Sequence, residues 1–369
     1  MKAFHLGVAL LVIMLLLTGC WNQSHLRDKV IINGITFDAL EEDPDIIQTN
    51  VRALNIQSSG GGKFNIKDEM LTSEGKNVNE TDIKLTNELF GEMDISKAFV
   101  VVIGEELAKS KGVLPILNPI ARSSYGYISS KVMIAEGRGM DILSIQMDYS
   151  PIAFRILNMF RYAEKRTHIP NETAFSIWNK VTDKEQDALI PLVRKSGPNL
   201  IEISGTALFN GDNYTGYSLS TEQSTLLLLM LDRFNLENTL NIDNEETKPF
   251  GITIESIQHE EKLRMIEGKD GGEFDVNIKV YAELNHYEGS LSEKDLEKLN
   301  KIASDYLNEK SEAVTKILKE ANSDVLGIQK KVSSQYPEYM KNKDWKDIYN
   351  QIQIKPDFSV QIMSSPNLK

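Results

Sequence analysis

Ala98-Phe99-Val100-Val101-Val102-Ile103 (AFVVVI), running through Gly104 into Glu105–Ser110 (EELAKS), is the stretch on which the fold turns. Six apolar residues in a row, without polar alternation, describe a strand covered on both faces. The residues after Gly104 open a helix that must break before Pro115. Lys131–Ala135 (KVMIA) is the next short strand, and Glu136-Gly137-Arg138-Gly139 turns the chain out of it. Strand, helix, strand predicts a mixed α/β layer.

Upstream of that layer, Val30–Leu40 (VIINGITFDAL) reads as a strand stopped by the acidic turn Glu41–Asp45, and Asn50–Gln57 (NVRALNIQ) as a second. Ser58–Gly62 (SSGGG) is a loop. Its Gly61-Gly62-Lys63 superficially suggests a phosphate cradle, but Gln57 stands where the nucleotide-binding loop needs its first glycine and Phe64 where it needs a hydroxyl. Nucleotide binding is therefore not expected.

Downstream, Pro151 is placed to start a helix, with Ile152, Ile156, Met159 and Phe160 on one face. Ala174, Ile177, Trp178 and Val181 repeat the signal, and Gly197-Pro198 suggests a domain boundary. Leu200–Ser220 is a hairpin turning at Asn210–Asn213. Ser220 and Gln223 have capping-box spacing ahead of Thr225–Leu231 (TLLLLML), a run too short to span lipid and expected to be a buried helix. Phe250–Ile257 and Glu273–Leu284 alternate as strands of an antiparallel sheet. Ser292 begins the longest helix, over 292–321, a rod of about 45 Å. Its apolar stripe, from Leu296 to Leu318, most simply lies across that sheet. Gln351–Ile362 is a last strand, placed at an edge by Pro356.

The expected organisation is thus a multidomain α+β protein of mixed sheets and packed helices. Residues 30–197 form a mixed α/β part, single or of two interleaved pieces, 198–248 a hairpin–helix part, and 249–369 an α+β part with an antiparallel sheet and the long helix. The opening MKAFHLGVALLVIMLLLTGCW (Met1–Trp21) decides where this body lives. Lys2, the apolar run Val8–Leu17 and then Leu17-Thr18-Gly19-Cys20 read as an export signal over 1–19 ending in a lipobox. Small groups at Thr18 and Gly19 admit a peptidase, and the Cys20 thiol can take a diacylglyceryl group by thioether formation, with or without a further N-acyl chain. Two chains, at roughly 0.8 kcal/mol per buried methylene, hold a protein stably on a membrane. Residues 20–29 are then the lipidated cysteine and its tether.

Composition fits an exported globular body. Of 369 residues, 41% are hydrophobic and 25% charged, and Cys20 is the single cysteine, so no intramolecular disulfide forms. The net charge of −12 becomes −13 once Lys2 leaves with the signal, which argues against nucleic-acid binding and against electrostatic adhesion to anionic lipid. Catalytic patterns are missing. His5, His25, His168, His259 and His286 have no metal-ligand spacing, and no nucleophile elbow or zinc-protease signature occurs. Glu245-Glu246 and Glu260-Glu261 read as solvated charge, although a fold can bring distant carboxylates together as glycosidases do. No cofactor is implied.

The residues LTGCWNQSHLRDKVIINGITFD (Leu17–Asp38) resemble the start of the Ger(x)C spore-germination lipoproteins, the C subunits of nutrient germinant receptors. Cys20, Trp21, Leu26, Asp28 and Gly34 carry the likeness, with Asn22 where the family often has Asp. Gly205-Thr206-Ala207-Leu208-Phe209, followed by Gly216, Leu219 and Glu222, resembles the family's middle signature, and the long helix with its terminal strand resembles its C-terminal region. The resemblance implies a lipoprotein of three mixed α/β domains on the outer face of the spore inner membrane, assembled with the integral-membrane receptor subunits A and B. It implies no catalytic residue and assigns no nutrient ligand to this subunit. Two other readings stay open: an extracytoplasmic ligand-binding lipoprotein, and an exported hydrolase.

Overall fold

The computed structural model describes His5 and residues 29–58, 64–89, 91–123, 127–147, 150–183, 186–243, 247–266, 271–287, 292–341 and 344–364. A large mixed sheet forms the first layer. Its central strands β1 (Lys29–Ala39), β5 (Val100–Gly104), β6 (Lys131–Ala135) and β7 (Leu189–Gly197) are parallel. On one side β2 (Ile47–Ser58) and β3 (Phe64–Gly75) add antiparallel, and on the other β8 (Leu200–Asn210) and β9 (Asn213–Leu219) do the same. The three-residue β4 (Glu92–Asp94) pairs with the start of β1.

The central apolar run is explained by what covers it. Val101 and Ile103 enter a core under α1 (Val78–Glu88), α2 (Glu105–Ser110), α3 (Leu114–Arg122) and α6 (Ala174–Asp183). Val100 and Val102 enter a second core, on the opposite face, under α4 (Gly139–Leu143) and α5 (Ile152–Lys165). A strand between two cores has no solvent face, so its side chains need no alternation. The break expected before Pro115 falls between α2 and α3, and Pro115 itself sits in the first turn of α3, where a missing N–H costs nothing.

The second sheet takes β10 (Asn238–Ile242), β11 (Phe250–Met265), β12 (Gly272–His286) and β13 (Ile352–Ser364) in that order. It is antiparallel across the first three strands, but β13 lies parallel to β12, which corrects the expected antiparallel sheet. The reason is the connection: β12 returns to β13 through the long helix α8 (Glu293–Glu320), and a crossover of that length joins parallel neighbours. Pro356 lies on the edge strand, as its lost donor requires.

The apolar stripe of α8 packs into the core of this sheet, as expected, and the helix also runs along the sheet's edge strand. Asn300, Ser304 and Asn308, four residues apart on one face, meet every second residue of β13. Ile362 N–H donates to Asn300 Oδ1 (2.8 Å), Val360 N–H to Ser304 Oγ (2.9 Å) and Phe358 N–H to Asn308 Oδ1 (2.7 Å), while Asn308 Nδ2 donates back to Phe358 O (3.0 Å). A polar row within an otherwise apolar helix face thus stands in for the missing neighbouring strand.

Gly197 pairs with Leu200 across a two-residue turn, so the hairpin that follows extends the first sheet instead of opening a separate layer. Gly205, at φ +146°, sits beside a bulge in the β7–β8 pairing, and its missing side chain lets β9 approach: a Cβ there would lie 1.8 Å from Leu219 O. Helix α7 (Thr221–Met230), capped by the reciprocal Ser220–Gln223 box, then drives Leu226, Leu227, Leu229 and Met230 into a core shared by Leu189, Leu208 and Leu219 of the first sheet and by the whole second sheet.

Candidate functional site

Leu17, Thr18, Gly19 and Cys20, the residues expected to be processed and acylated, lie outside the described residues, as do Gly61, Gly62 and Lys63. The described body begins at Lys29, whose ammonium is 3.4 Å from Asp94 and ties β1 to β4. Among the described residues no helix is long and apolar enough to cross a membrane.

Open α/β sheets place ligands at the carboxyl ends of their parallel strands. Here that crest is filled by the chain itself. Asp38, at the end of β1, is buried and accepts the N–H groups of Gly139 (2.6 Å) and Met140 (2.9 Å) at the start of α4. Burial pushes its carboxyl above the ordinary range, against the pull of those two donors and Arg138. The strand end opposite must be glycine, because a Cβ on Gly104 would sit 2.2 Å from Asp38 Oδ1. Arg138 in turn binds Gln48 Oε1 at 2.6 Å and Glu41 Oε1 at 3.3 Å. A carboxylate already occupies the place a phosphate would take.

A second concentration of carboxylates lies at the seam between the two sheets. Asp187, ahead of β7, accepts N–H groups from Gly211 (2.7 Å) and Asp324 (2.6 Å). Asp324 accepts from Ile328 (2.9 Å) and Gln329 (2.7 Å) at the start of α9 (Ile328–Gln335). Burial pushes Asp324 up to about 7, the neighbouring Asp187 charge adding to it. Around the pair, Asn210 Nδ2 donates to Asn322 O (2.8 Å), Gln186 Nε2 to Val325 O (2.8 Å) and Ser323 Oγ to Phe209 O. Tyr349 donates its hydroxyl to Ser323 O at 2.9 Å and lies under the Lys319 ammonium, 3.8 Å from its ring centre. Burial draws Lys319 down to about 8. A cleft of about 490 Å³ opens beside this clasp. All four carboxylate oxygens already hold backbone donors, so the pair fastens two sheets and presents no free nucleophile or base.

A smaller cavity, about 270 Å³, opens where α7, β10 and α8 meet, lined by His168, Glu222, Thr225, Asn238 and Tyr306 among others. Tyr306 donates to Glu222 Oε1 at 2.7 Å, and burial raises its phenol. Asn238, 1% exposed, donates from Nδ2 to Arg166 O (2.6 Å) and Thr225 Oγ1 (3.3 Å), while its Oδ1 has no hydrogen-bond partner. Burial, then the Arg166 charge, holds His168 below the usual histidine range. His259 meets Met230 O through Nε2 at 2.9 Å instead.

Among the described residues no cluster of three His, Cys, Asp or Glu could hold a metal ion. Glu261 is paired with Lys331 at 2.6 Å and Glu260 is exposed, whereas Glu245-Glu246 lies outside the described residues. Sequence reasoning missed Asp187, Asp324 and Asn238. They stand far apart in the chain, and no local pattern marks a carboxylate that will cap a loop 137 positions away.

Comparison with known proteins adds the family context. The model described as "Spore germination protein N-terminal domain" matches residues 22–195, and that described as "Spore germination B3/ GerAC like, C-terminal" matches residues 204–365. The chain is 21% identical to spore germination protein GerQC of Bacillus cereus over 313 residues, covering 83% of this chain and 84% of that one. It is also 21% identical to spore germination protein KC of Bacillus subtilis (strain 168) over 367 residues, covering 92% and 89%. The crystal structure of the GerBC protein superposes with a TM-score of 0.60 at 17% identity, over 89% of this chain and 97% of that one, which shows a shared fold.

Proposed function

From the Ger(x)C spore-germination family, to which this chain belongs, we propose the function of a lipid-anchored C subunit that works inside a nutrient germinant receptor by contact and not by chemistry. The observation that carries the reading is the pair of family models, the N-terminal one over residues 22–195 and the C-terminal one over residues 204–365, in that order along the chain. Cys20 takes a diacylglyceryl group, removal of residues 1–19 then leaves it as the first residue of the mature chain, and the tether to Lys29 holds the body at the outer face of the spore inner membrane. The integral-membrane subunits A and B are its partners. Confinement to the membrane plane raises the effective concentration of such partners, so modest lateral contacts suffice. The self-filled crest and the fully committed Asp187–Asp324 pair support a binding role over a hydrolytic one.

Replacement of the acylated residue tests this. Cys20→Ala is expected to leave folding unchanged by circular dichroism, to shift the protein out of the lipid-anchored fraction, and to impair nutrient-triggered germination. Full germination by the unacylated protein overturns the proposal. The cavity beside Asn238 favours a second reading, in which the subunit itself takes up a small nutrient. Calorimetry of the protein against amino acids and sugars separates the two, since micromolar heats that disappear in Asn238→Leu belong to the second.

A further inference from the structure

Helix α5 buries Ile152, Ala153, Ile156, Phe160 and Ala163 against the first sheet. Arg155, Arg161, Tyr162 and Lys165, and Arg166 at the C-cap, are exposed, and their spacing places them on one outer face. Glu164 is the only carboxylate between residues 152 and 166. It is buried and turned inward, 2.7 Å from the Lys131 ammonium, and it also feels the Arg161 charge, so one inward carboxylate shared between Lys131 and Arg161 leaves that face net positive. Among the described residues no carboxylate forms an ion pair with Arg155, Arg161, Lys165 or Arg166. Tyr162, 70% exposed, stands among these four cations. In a chain of net charge −12, this is a segregated patch of the opposite sign.

Its position relates it to the chain's start. Helix α5 crosses the sheet near the amino ends of the parallel strands, with Ala153 against Gly34 and Val100 and Glu164 beside Lys131. Gly34 is about 17 Å along β1 from Lys29. The nine residues from Cys20 to Lys29 reach about 30 Å when fully extended. A lipid on Cys20 therefore enters the bilayer within reach of this face.

We propose that the outer face of α5 is a membrane-contact surface, resting on anionic lipid headgroups with its four cations against phosphate and Tyr162 at the interface. The proposal rests on the acylation of Cys20 for its geometry and on charge complementarity for its partner. Each Lys or Arg beside an anionic leaflet is worth roughly fivefold in occupancy, and the attraction fades beyond about 8 Å at physiological ionic strength. Tyrosine suits the headgroup level because its ring is apolar and its hydroxyl polar. Because the apolar side of α5 is already packed on the sheet, the helix lies on the membrane without inserting, and the contact is salt-sensitive. The opposite sheet face, under α1, α2, α3 and α6, is then turned away from the lipid.

The test uses the full acylated protein on two kinds of vesicle, phosphatidylcholine alone and an equal mixture with phosphatidylglycerol. Acylation of Lys165 by an amine reagent is read by mass spectrometry against Lys316 on α8, whose side chain is 78% exposed. Several-fold protection of Lys165 on the anionic vesicles, lost on phosphatidylcholine, lost at about 0.5 M salt and lost in the Arg155→Gln, Arg161→Gln double variant, is the expected result. Equal reactivity on both vesicles overturns the proposal, as does protection that needs co-reconstituted receptor subunits, which assigns the face to a protein partner. Flotation with phosphatidylcholine reports the anchor separately: a protein that fails to float there refutes acylation, whereas one that floats with Lys165 unprotected on the anionic vesicles refutes only the α5 contact.

Discussion

Asn308→Ala removes one rung from the row that closes the second sheet. The native side chain accepts from Phe358 N–H at 2.7 Å and donates to Phe358 O at 3.0 Å, and the Phe358 ring is 1% exposed beneath it. An unpaired buried polar group costs about 1–3 kcal/mol, and two are released, but the site is half-buried and water can recover part of the loss. A net cost of about 2 kcal/mol follows, which is roughly thirtyfold in the equilibrium for local opening. Hydrogen exchange resolves it by residue. The Phe358 amide should exchange about thirtyfold faster, while Val360 and Ile362, still held by Ser304 and Asn300, keep most of their protection. The exposed neighbour Glu309→Ala, changing stability by less than about 0.5 kcal/mol, serves as control. Unchanged exchange at Phe358 in a folded Asn308→Ala protein refutes the claim that α8 substitutes for a fifth strand.

Gly205→Ala should cost more than about 3 kcal/mol, because φ +146° and a backbone oxygen 1.8 Å from the new Cβ must both be relieved; a melting temperature within a degree or two of wild type contradicts this. The pH dependence of stability should carry the Asp324 signature. Its folded carboxyl titrates near 7 against 3.8 unfolded, so the folded state holds more protons between those values and this contribution falls as pH rises from about 4 to about 7. Urea midpoints across that window should therefore decline more steeply for wild type than for Asp324→Asn, and parallel profiles sink the assignment.

The parts of the fold legible in the sequence are those set by local rules. AFVVVI announces a doubly covered strand because no side of it can meet water, and Ser220 with Gln223 announces a helix start because the two side chains satisfy each other's backbone. Partners chosen at long range were not legible. Alternation in Leu200–Phe209 specifies a strand with one buried face but not which sheet it joins, and only the two-residue turn to Gly197 decides that. Phe64–Gly75, mixed in polarity, carried no periodic signal and declared itself a strand only through pairing with β2. Asn300, Ser304 and Asn308 read as ordinary solvated positions on α8, because a helix surface gives no sign that a strand edge will lie beside it. The proposed acylation site is a different kind of signal: a linear motif read before folding, independent of any tertiary contact.

Under the proposed α5 contact, net charge averages over what geometry separates. A total of −12 describes the field far from the protein, where a polyanion and an anionic leaflet repel. A tethered protein is never far away. Within a screening length of about 8 Å, only the face nearest the lipid is felt, and that face is chosen by where the tether leaves the body. Acidic surface elsewhere is then repelled from the leaflet while Arg155, Arg161, Lys165 and Arg166 are drawn to it, and the two forces turn the body in one sense. Acidity and the proposed membrane contact are therefore compatible in this chain, and the first would supply part of the orientation for the second.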